Sequence, residues 1–97
     1  MELLILEDVR SDFLLLRRYL SQRGVTAHFH WVYDWQEIQD ALAAQPWDLI
    51  LSDYNLPGIR FTDLLRLVKE RQPDVPVVLV SGSVGEETAV DLLKQGL

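Results

Sequence analysis

The chain has no cysteine among its 97 residues. That excludes a disulfide frame, a thiolate nucleophile and a cysteine-based zinc site, and it suits a reducing cytoplasm. Basic residues are scarce. Nine Lys and Arg face fifteen Asp and Glu, for a formal charge of -6. Such a chain lacks the positive footprint that holds phosphate backbones, so direct nucleic-acid binding is disfavoured. Long apolar runs are missing as well. None approaches the roughly 18 residues of a membrane span. Leu3 to Leu6 runs straight into two acids, which is not the pattern of a signal peptide. No linker, repeat or low-complexity stretch interrupts the chain. Its length allows one domain, on the small side of the roughly 100–200 residues usual for one.

What is present is a series of short apolar runs, each closed by polar or turn-forming residues. Leu3 to Leu6 ends in Glu7-Asp8. Leu49 to Ser52 ends in Asp53, followed by Tyr54 and Asn-Leu-Pro-Gly. Val77 to Val80 ends in Ser81-Gly82-Ser83. Runs this short and this apolar predict strands buried on both faces. Val25 to Val32 alternates instead, with Thr26, His28 and His30 on one side and Val25, Ala27, Phe29 and Trp31 on the other. That predicts a half-buried strand at a sheet edge.

Helical patterns separate the strands. Ser11 is the expected N-cap of a first helix reaching about Arg23, with Gly24 as its stop. Phe13, Leu15, Leu16, Tyr19 and Leu20 form its apolar arc, and Leu14 falls outside it. Asp34 and Glu37 have capping-box spacing at the start of a second helix, which carries Trp35, Ile38, Ala41 and Leu42 on one stripe and ends before Pro46. Thr62 or Asp63 is expected to open a third helix, with Leu64, Leu65, Leu67 and Val68 on one face. Glu86 and Glu87 suit the first turn of a fourth, with Ala89, Val90, Leu92 and Leu93 turned inward and Gly96 as its cap. Strict alternation of buried strands and helices predicts an α/β fold: a doubly wound parallel sheet with right-handed crossovers.

In a parallel sheet every strand's carboxyl end lies on one edge, where ligands of open α/β sheets bind. Glu7, Asp8, Asp53 and Ser81 therefore converge if the first, third and fourth strands are neighbours. Carboxylates about 4 Å apart repel by roughly 4 kcal/mol at an effective dielectric of 20, so the cluster invites a cation. Donors that are all oxygen favour Mg²⁺, Mn²⁺ or Ca²⁺. An oxygen nucleophile, a divalent ion and a hydroxyl beside a glycine point to phosphoryl transfer onto Asp53. Each feature alone has a plain structural reading as a turn or cap residue; three on one edge shift the balance.

Leu-Glu-Asp at 6–8, Ser-Asp-Tyr-Asn-Leu-Pro-Gly at 52–58 and Val-Ser-Gly-Ser at 80–83, in that order and spacing, resemble the receiver domain of two-component response regulators, which has the CheY-like fold. The resemblance runs from Met1 to Leu97. It implies strand order 2-1-3-4, with a fifth strand, a lysine after it and a fifth helix expected beyond Leu97; residues 1–97 are thus expected to be a C-terminally incomplete receiver. It implies that Asp53 takes a phosphoryl group from a histidine of a kinase or phosphotransfer partner. It implies a Mg²⁺ site made by Glu7, Asp8, Asp53 and the backbone carbonyl of Asn55, with Ser81 bonding the phosphoryl group. Lys94 does not match the family's lysine. An attached effector or kinase domain, a cytoplasmic setting and self-association through surfaces left open by the missing strand are further expectations. Two other readings compete. One is a receiver that binds partners without phosphorylation. The other is an aspartyl-phosphate phosphatase, which needs a second acid where this chain has Asn55.

Several residues stand outside this scheme. His28 and His30 share a strand face and could bind a metal, but an exposed polar edge explains them better. Trp31, Trp35 and Trp47 are expected in the core or at its rim, and Arg60 in a solvated loop.

Overall fold

Seven elements alternate along the chain: β1 (Glu2–Leu6), α1 (Arg10–Gln22), β2 (His28–Val32), α2 (Trp35–Ala44), β3 (Leu49–Asp53), α3 (Phe61–Arg71) and β4 (Val77–Val80). The computed structural model describes residues 1–53 and 56–80. Expectations for Tyr54, Asn55, Ser81, Lys94 and the helix opening at Glu86–Glu87 lie outside the described residues. The four strands are parallel in the order β2-β1-β3-β4, as expected.

The central strands are apolar because both their faces are covered. Leu4, Leu6 and Ile50 pack with Ile38 and Leu42 of α2 and with Leu64 and Val68 of α3. Leu3, Ile5, Leu49 and Leu51 point the other way, onto Phe13 and Leu20 of α1. Every residue from Leu3 to Leu6 is at most 1% exposed. Full burial of each such aliphatic side chain is worth about 1.5–3 kcal/mol. One helix on one face and two on the other means that the chain reverses direction between β1 and β3. A topological switch point therefore lies at their carboxyl ends.

Helix starts differ from expectation. Ser11 does not cap α1. Val9 occupies the N-cap position without a side-chain bond, and its carbonyl accepts from Asp12 and Phe13 N–H at 3.1 Å each. The helix begins so soon after Asp8 that Ser11 is already inside it. Likewise α3 opens at Phe61 from an Arg60 N-cap, ahead of Thr62 and Asp63. The Asp34 cap is as expected: its carboxylate accepts the Glu37 N–H at 2.7 Å. Gly24 stops α1 with φ +89°. Its N–H reaches the Ser21 carbonyl and that of Val25 reaches Leu20, a Schellman closure that needs a residue tolerant of positive φ.

Two expectations about faces are corrected. Leu15 was placed in the buried arc of α1 and is 52% exposed. Leu14, placed outside the arc, packs partly against the core. Strand β2 is shorter than its sequence pattern, because the ladder with β1 opens at the Glu2–His28 pair. Val25 and Ala27 still pack on the α1 side. His28 and His30 lie at the sheet edge, where Glu2 joins both rings, to His28 Nδ1 at 2.8 Å and His30 Nε2 at 3.3 Å. Trp47 is buried, and Trp31 and Trp35 are partly so. Among the described residues no helix is long and apolar enough to cross a membrane.

Candidate functional site

The site is built where β1 and β3 end. Leu6 pairs with Ser52 and Asp53 with Val80. Glu7 and Asp8 follow β1 directly, so the strand register carries them to the level of Asp53. Carboxylate oxygens of Glu7, Asp8 and Asp53 lie within 4.8 Å of one another. The three differ in setting: Glu7 is buried at 7% exposure, Asp8 is exposed and Asp53 is intermediate.

Burial is the largest influence on Glu7. It pushes the carboxyl up to about 8 from its ordinary value of 4.5, against the Val9 N–H bond that favours the charged form. A side-chain hydrogen bond with Asp8 and the charges of Asp53 and Asp12 push the same way. At neutral pH the metal-free cluster therefore keeps a proton on Glu7.

The loop carrying the acids is held by contacts with no local sequence signal. Val9 N–H donates to Glu7 Oε1 at 3.1 Å. The Trp31 indole N–H donates to the Glu7 carbonyl at 2.6 Å. On the far side of Asp53, Ile59 N–H closes onto the Leu56 carbonyl at 3.1 Å. Pro57 and Gly58, with Gly58 at φ +74°, have the chemistry of a type II turn. Leu56 is buried in the core, so this turn anchors the chain leaving the site. Arg60 is exposed. The structure thus brings together three of the acids singled out in the sequence, while Asn55 and Ser81 lie outside the described residues.

The donor set fits a small hard cation. Octahedral Mg²⁺ with ligands at about 2.0–2.1 Å places ligand oxygens roughly 3–4 Å apart, within small side-chain adjustments of this spacing. A cation would favour the ionised form of Glu7 and so offset the burial and neighbouring charges that raise it.

A family profile described as the response regulator receiver domain matches residues 3–97. The chain belongs to the response regulator receiver domain family. This receiver is 32% identical over 92 residues to LuxO, a regulatory protein of Vibrio cholerae, covering 95% of this chain and 20% of that protein. It is 30% identical over 92 residues to NtrC, a DNA-binding transcriptional regulator of Escherichia coli, covering 95% and 19%. The receiver thus spans about a fifth of the length of these curated relatives. A response regulator from Burkholderia pseudomallei, solved with a phosphorylated aspartic acid, calcium ion and citrate, superposes with a TM-score of 0.71 at 23% identity, over 98% of this chain and 55% of that one. That likeness shows the shared fold.

Proposed function

We propose that Asp53 is the phosphoacceptor of this receiver and that Glu7, Asp8, Asp53 and the Asn55 carbonyl hold Mg²⁺ beside it. The observation carrying this reading is the convergence of three carboxylates from two strand ends at the switch point, one of them buried. Like charges are brought this close where a cation or a transferred group is to be bound.

An Asp53 carboxylate oxygen attacks the phosphorus of a phosphohistidine on a partner kinase or phosphotransfer domain. An O–P bond forms as the P–N bond breaks, and the imidazole leaves with the electron pair. Mg²⁺ held by these residues would supply charge neutralisation for the phosphoryl transfer. Asp8 offers an exposed carboxylate to the ion; Glu7, already bonded to Val9 N–H, fixes the loop and completes the negative field. Ser81 follows directly after Val80, the register partner of Asp53, and its hydroxyl bonds the phosphoryl group. The protein acts as a signalling acceptor rather than an enzyme, in the cytoplasm with its histidine partner, and passes its state to an attached output domain.

The test is phosphorylation of the full-length protein by acetyl phosphate with Mg²⁺, read by intact mass. One added phosphoryl group on wild type and none on Asp53→Asn is expected. Equal labelling of the variant, or no labelling of wild type under conditions that saturate with beryllofluoride, contradicts it.

A further inference from the structure

Strands β1 and β2 part company immediately after the Leu6–Val32 pair, the last in their ladder. Glu7 N–H still reaches the Val32 carbonyl at 3.1 Å. Beyond that point the Glu7 carbonyl lacks the donor that a continued ladder would supply, and one side chain takes its place. The Trp31 indole N–H donates to the Glu7 carbonyl at 2.6 Å. Trp31 stands opposite Ile5 in the register, so its ring reaches forward along the strand to a carbonyl two residues on. The ring is held in turn. It stacks on Phe13 of α1 at 5.4 Å between centroids and 10° between planes, and Tyr33 lies against it at 5.6 Å.

The consequence falls on Asp8. A carbonyl locked by a short hydrogen bond fixes the plane of the Glu7–Asp8 peptide, and that plane sets the direction in which Asp8 leaves the main chain. We infer that Trp31 is a positioning residue for the metal site: its indole N–H, braced by Phe13, holds the Glu7–Asp8 peptide so that Asp8 faces Asp53. It touches neither metal nor phosphoryl group and acts through the main chain. This inference rests on the reading of the acidic cluster as a Mg²⁺ site. Groups that orient metal ligands from outside the coordination sphere typically contribute 10–100-fold in affinity.

A matched control exists within the same chain. Trp47 also donates its indole N–H to a main-chain carbonyl, that of Ala41 at 2.9 Å, in α2 and on the opposite face of the sheet. Trp31→Phe keeps an aromatic ring against Phe13 and removes the donor; Trp47→Phe makes the same exchange, with the same loss of ring volume, at the remote position. Mg²⁺ titration of the full-length protein, followed by backbone amide shifts of Asp8 and Asp53 and by the indole N–H resonances, separates the roles. The expected result is a Mg²⁺ dissociation constant raised about tenfold or more in Trp31→Phe and unchanged in Trp47→Phe. In wild type the Trp31 indole resonance shifts with Mg²⁺ and that of Trp47 does not. Affinity within twofold of wild type in Trp31→Phe overturns the inference, as does equal weakening in both variants, which would mark simple destabilisation. A wild type that takes up no Mg²⁺ overturns the metal-site reading itself and this inference with it, a result distinct from the other two.

Discussion

Glu7, one residue past β1, and Asp53, the last residue of β3, hold carboxylate oxygens within 4.8 Å of each other across two adjacent parallel strands. If both were ionised at that separation they would repel by roughly 3–4 kcal/mol at an effective dielectric of 20. Burial of Glu7 adds to the conflict, and the proton stays on Glu7 up to about pH 8.

Metal uptake must displace that proton, so Mg²⁺ affinity is linked to pH. The affinity is expected to rise with pH by up to about tenfold per unit below pH 8 and to level off above it, the signature of one proton released per ion bound. Calorimetric titrations at pH 6, 7, 8 and 9 in buffers of different ionisation enthalpy measure both slope and proton count. A flat profile from pH 6 to 8 would show that Glu7 is not the proton's holder.

The same shift affects folding in the absence of metal. Between pH 4.5 and about 8 the folded chain keeps a proton on Glu7 that the unfolded chain has released. Stabilisation from this group is complete below pH 4.5, declines as pH rises through that window, and is constant above about 8. Metal-free wild type should therefore have a lower urea midpoint at pH 8.5 than at pH 6. Glu7→Gln cannot ionise and should lose that part of the decline. Parallel midpoint curves for the two proteins would exclude the linkage.

The strand order came from the family resemblance, but the doubly wound arrangement and the shared edge of Glu7, Asp8 and Asp53 were legible in the sequence itself, for one physical reason. A strand buried on both faces must be continuously apolar, so the residue where that run stops marks its end. Helix starts were less legible. Ser11 has good cap chemistry, but the loop after Asp8 is too short to leave it outside α1. The Trp31 bond to the Glu7 carbonyl has no local signal at all; it depends on how two strands diverge. Leu14 and Leu15 show the limit of the helical wheel, which ranks faces without knowing how the helix rolls on the sheet.

That roll predicts unequal costs among the leucines of α1. Leu20 is fully buried and Leu15 is 52% exposed, although both sit on the same arc of the wheel. Leu20→Ala should destabilise the chain by about 2–5 kcal/mol, the range for a buried leucine whose cavity relaxes only in part. Leu15→Ser should change stability by less than about 0.5 kcal/mol. Denaturant midpoints of the two variants measure the contrast. A loss above 2 kcal/mol for Leu15→Ser would mean that the helix is rolled differently from the arrangement described.

Gln72 carries a stability role of another kind, joining the end of α3 to the end of α2. Its Nε2 donates to the carbonyls of Leu42 at 2.9 Å and Gln45 at 2.8 Å, and its Oε1 accepts the Trp47 N–H at 2.9 Å. The last carbonyls of a helix lack partners within it, and α2 has no basic residue in its last turn to supply donors. One amide thus satisfies three main-chain groups that are partly buried. Gln72→Ala leaves all three without their partner and should cost about 2–3 kcal/mol. Gln72→Glu keeps the acceptor for Trp47 but turns a carboxylate toward two carbonyl oxygens, so it should be at least as damaging at pH 7 and milder at pH 4, where protonation restores one donor. Urea unfolding of the two variants at both pH values checks the order. Equal stability of Gln72→Glu at pH 4 and pH 7, after correction for the wild-type pH dependence, would show that the two donated bonds contribute nothing.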